Sequence, residues 1–220
     1  MEDMDIYQQR LAKFIEEVTI YPVSGERFAA GRGDLEWLEE VLAGGARIVQ
    51  LRDKESSGRA LLEKAQAFRR ATKRAGALFI VNDRLDIALL SGADGVHLGN
   101  DDLPAGTVRS FAPDLLIGVS CHDEEEVGTA ELRGASYYNI GPIFATATKK
   151  EAREALGPEA IPRLSALSKL PFTVMGGIKK EHLPLLKSLG VRRPAVVTAL
   201  TAAPDICRET ADWIAALRLT

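Results

Sequence analysis

Cysteine and histidine are scarce in this chain, with two of the first and three of the second in 220 residues. Cys121 and Cys207 form no CxxC pair, and the only histidine near either is His122. That argues against a disulfide framework, a structural zinc site and dithiol redox chemistry. An excess of basic residues is also missing: 28 Lys and Arg stand against 31 Asp and Glu, a net charge of -3. Without a basic footprint, a nucleic-acid partner is not expected. No run approaches the roughly 20 apolar residues of a membrane helix. The acids spread through Met1 to Glu17 leave no uninterrupted apolar stretch for a signal peptide. A cytoplasmic protein with no membrane partner is the expectation. Low-complexity linkers and solenoid repeats are absent as well, so one domain spanning residues 1–220 is expected.

What is present is 46% hydrophobic and 27% charged residues, a globular balance. Short apolar runs rich in β-branched residues recur at Thr19 to Val23, Ile48 to Leu51, Leu78 to Val81, Gly95 to Leu98, Leu115 to Val119, Tyr137 to Ile140, Phe172 to Met175 and Ala195 to Thr198. They lack polar/apolar alternation, the pattern of strands covered on both faces of a parallel sheet. Between them lie helical stretches such as Gly58 to Ala75, with Leu61, Leu62, Ala65, Phe68 and Ala71/Thr72 near one stripe, and Asp123 to Leu132, opened by an acidic cap. Eight such units predict an α/β protein, a (β/α)8 TIM barrel with an added N-terminal helix near Asp5 to Glu17; a doubly wound open sheet is the alternative.

In a barrel the C-terminal ends of the strands face the active site, and here those ends are polar. Asp83 and Asp102 follow neighbouring strands, spaced about 4.8 Å in a sheet, so their carboxylates can share a hard cation such as Mg2+. Each is also a candidate helix cap, before Arg84 and Pro104 respectively. Gln50, Arg52 and Lys54 alternate along an extended segment and so share one side, with a bidentate guanidinium and a compact ammonium suited to phosphate. The competing reading is a strand end salt-bridged to Asp53 and Glu55. Gly176 and Gly177 predict a strand turning into a helix at Ile178, where bare backbone amides approach an anion. The polar loop Ala145 to Pro158 predicts a functional segment. His122 is as well suited to a structural hydrogen bond as to acid–base work, and His97 and His182 are expected to be structural or solvated.

Taken in order, Val49 to Lys54, Asn82-Asp83-Arg84, Ala93 to Gly99 with Asp102-Leu103-Pro104, Gly118-Val119-Ser120, Gly141 to Thr146, Lys149, Gly176-Gly177-Ile178 and Ala195-Val196-Val197 resemble the thiamine-phosphate synthase (thiamine monophosphate pyrophosphorylase) family across roughly Gly44 to Leu200. The resemblance implies a (β/α)8 transferase that joins a pyrimidine diphosphate to a thiazole phosphate, or its carboxylated form, and releases diphosphate with Mg2+. It implies that Gln50, Arg52, Lys54, Asn82, Ser120 and Lys149 hold the pyrimidine diphosphate, with Arg52, Lys54, Ser120 and Lys149 as the catalytic set. Asp83 and Asp102 correspond to the metal ligands. Thr146, Thr148, Gly177, Val197 and Thr198 correspond to the thiazole phosphate pocket. The chain departs from the family pattern at Ala147, Asn100-Asp101, Cys121 and Thr198, and more strongly at Ser24 to Gly33 and Val191 to Pro194. The last two leave the shape of the thiazole side open. Two other functions fit a barrel of this kind: a thiazole tautomerase using a histidine near His122, and a non-catalytic barrel binding a phosphorylated metabolite. Retention of Gln50, Asn82, Asp83, Asp102 and Ser120 favours the synthase. The sequence carries no sign of the oligomeric state.

Overall fold

The structure is a computed structural model that describes residues 4–29, 31–146 and 154–218. Eight parallel strands, β1 (Tyr21–Pro22), β2 (Ile48–Leu51), β3 (Leu78–Asn82), β4 (Gly95–Leu98), β5 (Leu116–Cys121), β6 (Tyr137–Ile140), β7 (Phe172–Met175) and β8 (Pro194–Val196), run in the order β1-β8-β7-β6-β5-β4-β3-β2. The ring closes between β1 and β2, where Val23 bridges Gln50 and the Ser24 amide donates to the Gln50 carbonyl at 2.9 Å. Closure decides between the two architectures expected from sequence: an open sheet has two free edges, and this one has none.

Helices α1 (Ile6–Glu17), α2 (Asp34–Ala43), α3 (Gly58–Ala75), α4 (Leu85–Ser91), α5 (Ala105–Phe111), α6 (Glu124–Thr129), α7 (Ala160–Ser165), α8 (Leu183–Ser188), α9 (Thr198–Thr201) and α10 (Ile206–Arg218) accompany the strands. Sequence chemistry explains where several begin. Asp5 and Gln8 form a reciprocal capping box on α1, and the Ser57 and Asp123 side chains accept from the Ala60 and Glu126 amides at the starts of α3 and α6. The buried stripe of α3 is Leu61, Ala65, Phe68, Ala71 and Thr72.

Both faces of every strand are covered, which is why alternation is invisible in the sequence. Along β2, Ile48 belongs to the inner core and Val49 and Leu51 to the outer one. Along β3, Leu78 and Ile80 point in while Phe79 and Val81 point out. The inner face is apolar at its lower end. Above that layer it turns polar: Gln50, Asn82, His97, Ser120 and Asn139 all line the upper cavity, and register places Asn82 beside His97 and Ser120 beside Asn139.

The predicted N-terminal helix closes the bottom of the barrel. Phe14 on α1 is fully buried and stacks on Tyr137 with ring centroids 4.6 Å apart. Arg193 fastens the helix, its Nε donating to the Phe14 carbonyl at 3.0 Å, a second nitrogen to the Ile15 carbonyl, and its guanidinium resting over the Phe14 ring. Burial lowers the Arg193 pKa to about 10. Arg10 adds a pair with Asp94 and a bond to the Asp114 carbonyl, and Arg109 lies over Tyr7 at 4.6 Å. The atypical segment Val191 to Pro194 therefore sits at the entry of β8, at the end of the barrel opposite the strand C-termini. There Arg193 serves to hold α1.

Candidate active site

The C-terminal mouth holds a cavity of about 420 Å3. Gln50, Arg52, Lys54, Asn82, Asp83, Asp102, Ser120, Thr146, Gly177, Val197 and Thr198 all contribute to its wall, as do His97, His122 and Asn139. Thr148 and Lys149 lie outside the described residues.

Asp83 has a left-handed backbone with φ of 62°, the sole such non-glycine residue among those described. Its amide donates to the His97 carbonyl at 2.8 Å, which ties the turn after β3 to β4. Strain of this sort persists where surrounding contacts enforce it, and it clusters at functional sites. The helix-cap alternative fails for both acids. α4 starts after Arg84 and α5 after Pro104, and neither has a side-chain cap. Asp102 instead accepts from the Gly99 amide at 2.7 Å, within its own loop.

The two carboxylates face each other. Burial, then the neighbouring Asp83 carboxylate, raises the Asp102 pKa, while the Gly99 amide and Lys54 oppose the shift. The Lys54 ammonium pairs with Asp83 Oδ2. Two acids drawn together around a cation are the donor set of a hard divalent ion.

Lys54 therefore does not pair with Asp53 or Glu55, and the salt-bridged strand end expected as the alternative is not formed. Asp53 has another partner. Lys64, on α3, reaches Glu26 at 2.8 Å, Asp34 at 2.9 Å and Asp53 at 2.6 Å. The oxygens of these three acids lie within 4.8 Å of one another, and the Lys64 ammonium already supplies their counter-charge. Asp53 further accepts from the Glu55 amide and from the amide and hydroxyl of Ser56. Burial pushes the Asp53 carboxyl up, but Lys64 and Ser56 outweigh it and hold the group well below its ordinary value. The loop bearing Arg52 and Lys54 is thus pinned at the residue between them. Burial lowers the Arg52 pKa, Asp83 opposes that shift and Arg27 reinforces it.

The segment Ser24 to Gly33 packs beside Val197, at the edge of the cavity where the eighth strand ends. A side chain at Gly25 would meet Val197 Cγ1 at 2.8 Å, and Arg32 donates to the Ala203 and Pro204 carbonyls beyond α9 at 2.7 and 2.9 Å. The eighth strand is shorter than expected. It ends at Val196, Val197 precedes the helix, and Thr198 opens α9 rather than closing β8. Nor does the seventh run turn directly into a helix at Ile178: a 3-10 turn forms only at Lys180–His182. Gly177 is nonetheless required, since its φ is 59° and a Cβ there would collide with the Ala145 carbonyl and lie 2.9 Å from Phe144 Cβ.

Two wall residues escape sequence reasoning. His97, expected to be structural or solvated, is 7% exposed and bonds Ser120 Oγ through Nε2 at 3.1 Å. Asn139 accepts from Thr173 at 2.8 Å. Their one signal was a polar residue inside a strand-like run. His122 contacts Glu126 Oε2 through Nδ1 at 3.0 Å. Cys121 is buried, which raises its thiol to about 12 and leaves it inert.

A family model described as thiamine monophosphate synthase matches residues 20–200. The chain belongs to the thiamine monophosphate synthase family. Within that family, it is 43% identical over 191 residues to the thiamine-phosphate synthase of Azorhizobium caulinodans, covering 86% of this chain and 90% of the relative. It is 37% identical over 212 residues to that of Methanosarcina barkeri, covering 96% of each. The solved thiamine phosphate pyrophosphorylase of Pyrococcus furiosus superposes with a TM-score of 0.84 at 32% identity, covering 91% of this chain and 96% of the other. The family is one of transferases with this barrel, as expected from the resemblance. No described helix is long and apolar enough to cross a membrane.

Proposed function

We propose that this chain is a thiamine-phosphate synthase that couples 4-amino-2-methyl-5-(diphosphooxymethyl)pyrimidine to a thiazole phosphate, giving thiamine phosphate and diphosphate with Mg2+. The observation that carries the reading is the placement of Asp83, Asp102, Arg52 and Lys54 in the wall of one cavity.

Asp83 and Asp102 fit a divalent ion because they are two facing carboxylates, one of which already attracts an ammonium. Bound there, Mg2+ supplies positive charge to the departing diphosphate. Arg52 and Lys54 add a bidentate fork and a compact charge to the same leaving group. The family resemblance assigns Lys149 the same role. In the reaction the bond from the pyrimidine methylene carbon to the diphosphate oxygen breaks, and its electron pair leaves with diphosphate. The thiazole nitrogen lone pair then forms the new bond to that carbon. No proton moves in this exchange, so the side chains serve to position both partners and stabilise charge, without a nucleophile of their own. Gln50, Asn82 and Ser120 hold the pyrimidine half, and Thr146, Thr148, Gly177, Val197 and Thr198 hold the thiazole phosphate. A single barrel domain acting in the cytoplasm on two small molecules completes the reading.

The test is diphosphate release by the purified protein supplied with both substrates. Release is expected with Mg2+ and lost with EDTA or with Asp83→Asn. Release that persists under chelation and in the variant contradicts the metal assignment.

A further inference from the structure

Five side chains from five strands form a hydrogen-bonded line across the barrel interior beneath the cavity. Gln50 on β2 reaches Tyr21 on β1 at 2.9 Å, Tyr21 reaches Tyr137 on β6 at 2.7 Å, Tyr137 reaches His97 Nδ1 on β4 at 3.3 Å, and His97 Nε2 reaches Ser120 on β5 at 3.1 Å. Gln50, His97 and Ser120 line the cavity, and the two tyrosines do not. Space for the line is reserved in the backbone. A Cβ at Gly118 would fall on the Tyr137 ring and hydroxyl and lie 2.5 Å from His97 Nδ1.

With the Gln50 amide oriented as it is here, Nε2 toward Tyr21, the line has one self-consistent direction. Gln50 donates through Nε2, so the Tyr21 oxygen is an acceptor there and its own proton goes to the Tyr137 oxygen. Both phenols are fully buried and burial pushes both pKa values up, so both keep their protons. The Tyr137 proton then goes to His97 Nδ1. That leaves the imidazole hydrogen on Nε2, donated to Ser120 Oγ. At the two ends, the Ser120 proton is left for a ligand acceptor and the Gln50 carbonyl oxygen for a ligand donor.

We propose that Tyr21 and Tyr137 are positioning residues that run this relay in one direction, fixing Ser120 as a donor and Gln50 as an acceptor toward the substrate. A ring carrying both an acceptor nitrogen and an amino group, such as an aminopyrimidine, matches that polarity. A ring with the opposite pattern leaves buried groups unpaired and is rejected. The substrate half of this inference rests on the proposed function, whereas the direction of the relay does not.

Nitrogen-15 NMR of the intact protein reads the direction without substrate. The three histidines are assigned by single His→Gln substitutions. The expected result is His97 protonated at Nε2 with Nδ1 an acceptor, depopulated in Tyr21→Phe, which cuts the line from Gln50, and lost in Tyr137→Phe. Tyr137→Phe keeps the ring that stacks on Phe14, so a purely packing role leaves the tautomer in place. In the coupling assay Tyr137→Phe raises KM for the pyrimidine diphosphate roughly tenfold, the loss of about one hydrogen bond, with a smaller change in kcat. A wild-type His97 protonated at Nδ1, or a tautomer indifferent to Tyr137→Phe, overturns the relay. The expected tautomers in a protein that forms no thiamine phosphate overturn the proposed function and leave the relay standing.

Discussion

Replacing Lys64 with methionine keeps most of its length and removes its charge, leaving Glu26, Asp34 and Asp53 without a shared counter-charge. The Lys64 and Asp34 side chains are 19% and 2% exposed. Removing one partner of a buried ion pair costs about 3–5 kcal/mol, and the remaining water access places this loss near 3 kcal/mol. For a chain of this size that lowers Tm by roughly 6–12 °C. The pH dependence separates charge from packing. Net of burial, the three carboxylates raise the Lys64 pKa above 10.5, so its contribution is complete below that value and fades as pH rises through the raised one. Net of burial, Lys64 and Ser56 hold Asp53 below 3.8, so its contribution is present above that value and fades as pH falls through the lowered one. Asp34, raised above 3.8 by burial, contributes in the opposite sense and gains as pH falls. Between the lowered Asp53 value and the raised Lys64 one, wild-type stability from this cluster therefore changes only through Asp34. In Lys64→Met the unpaired acids repel and neutralise on acidification, so the deficit narrows over that interval. Differential scanning calorimetry of both proteins, with Lys64→Arg as the charge-keeping control, measures it. A deficit that stays constant with pH, or is equal in Lys64→Arg, refutes the electrostatic account.

Arg193→Ala removes charged hydrogen bonds to Phe14 and Ile15 worth about 1.5–3 kcal/mol each before relaxation. It should lower the urea midpoint while activity per folded molecule stays unchanged. Asp83→Gly and Asp83→Asn should each lower coupling at least about 10²-fold, yet Asp83→Gly should be the more stable of the two by up to about 1 kcal/mol, because glycine accepts the positive φ freely. Asp102→Asn, assayed without metal, should stabilise the protein near neutral pH. The raised pKa of Asp102 means its charged form opposes folding, a penalty present as pH rises through that value and absent in acid.

The eight apolar runs, the N-terminal helix and the polar strand ends were all legible in the sequence, because βα units are local signals. Asp83 and Asp102 were legible as a pair since consecutive parallel strands are neighbours by necessity. The relay was not. His97 sits in a run buried on both faces, where an inward polar residue has no periodic signature, and Tyr21 and Tyr137 are 116 residues apart. The role of Arg193 was hidden for a related reason: a departure from a family turn shows that something differs, but only the contact with Phe14 shows which end of the barrel it concerns. The Lys64 knot draws its acids from a 3-10 turn, a helix start and a strand loop, a convergence no spacing announces.

Supplying the purified protein with both substrates and Mg2+ and quantifying thiamine phosphate and diphosphate together decides whether the barrel couples the two. One-to-one formation, abolished by EDTA and restored by added Mg2+, is the result predicted. Interconversion or binding of the thiazole phosphate with no diphosphate released contradicts it.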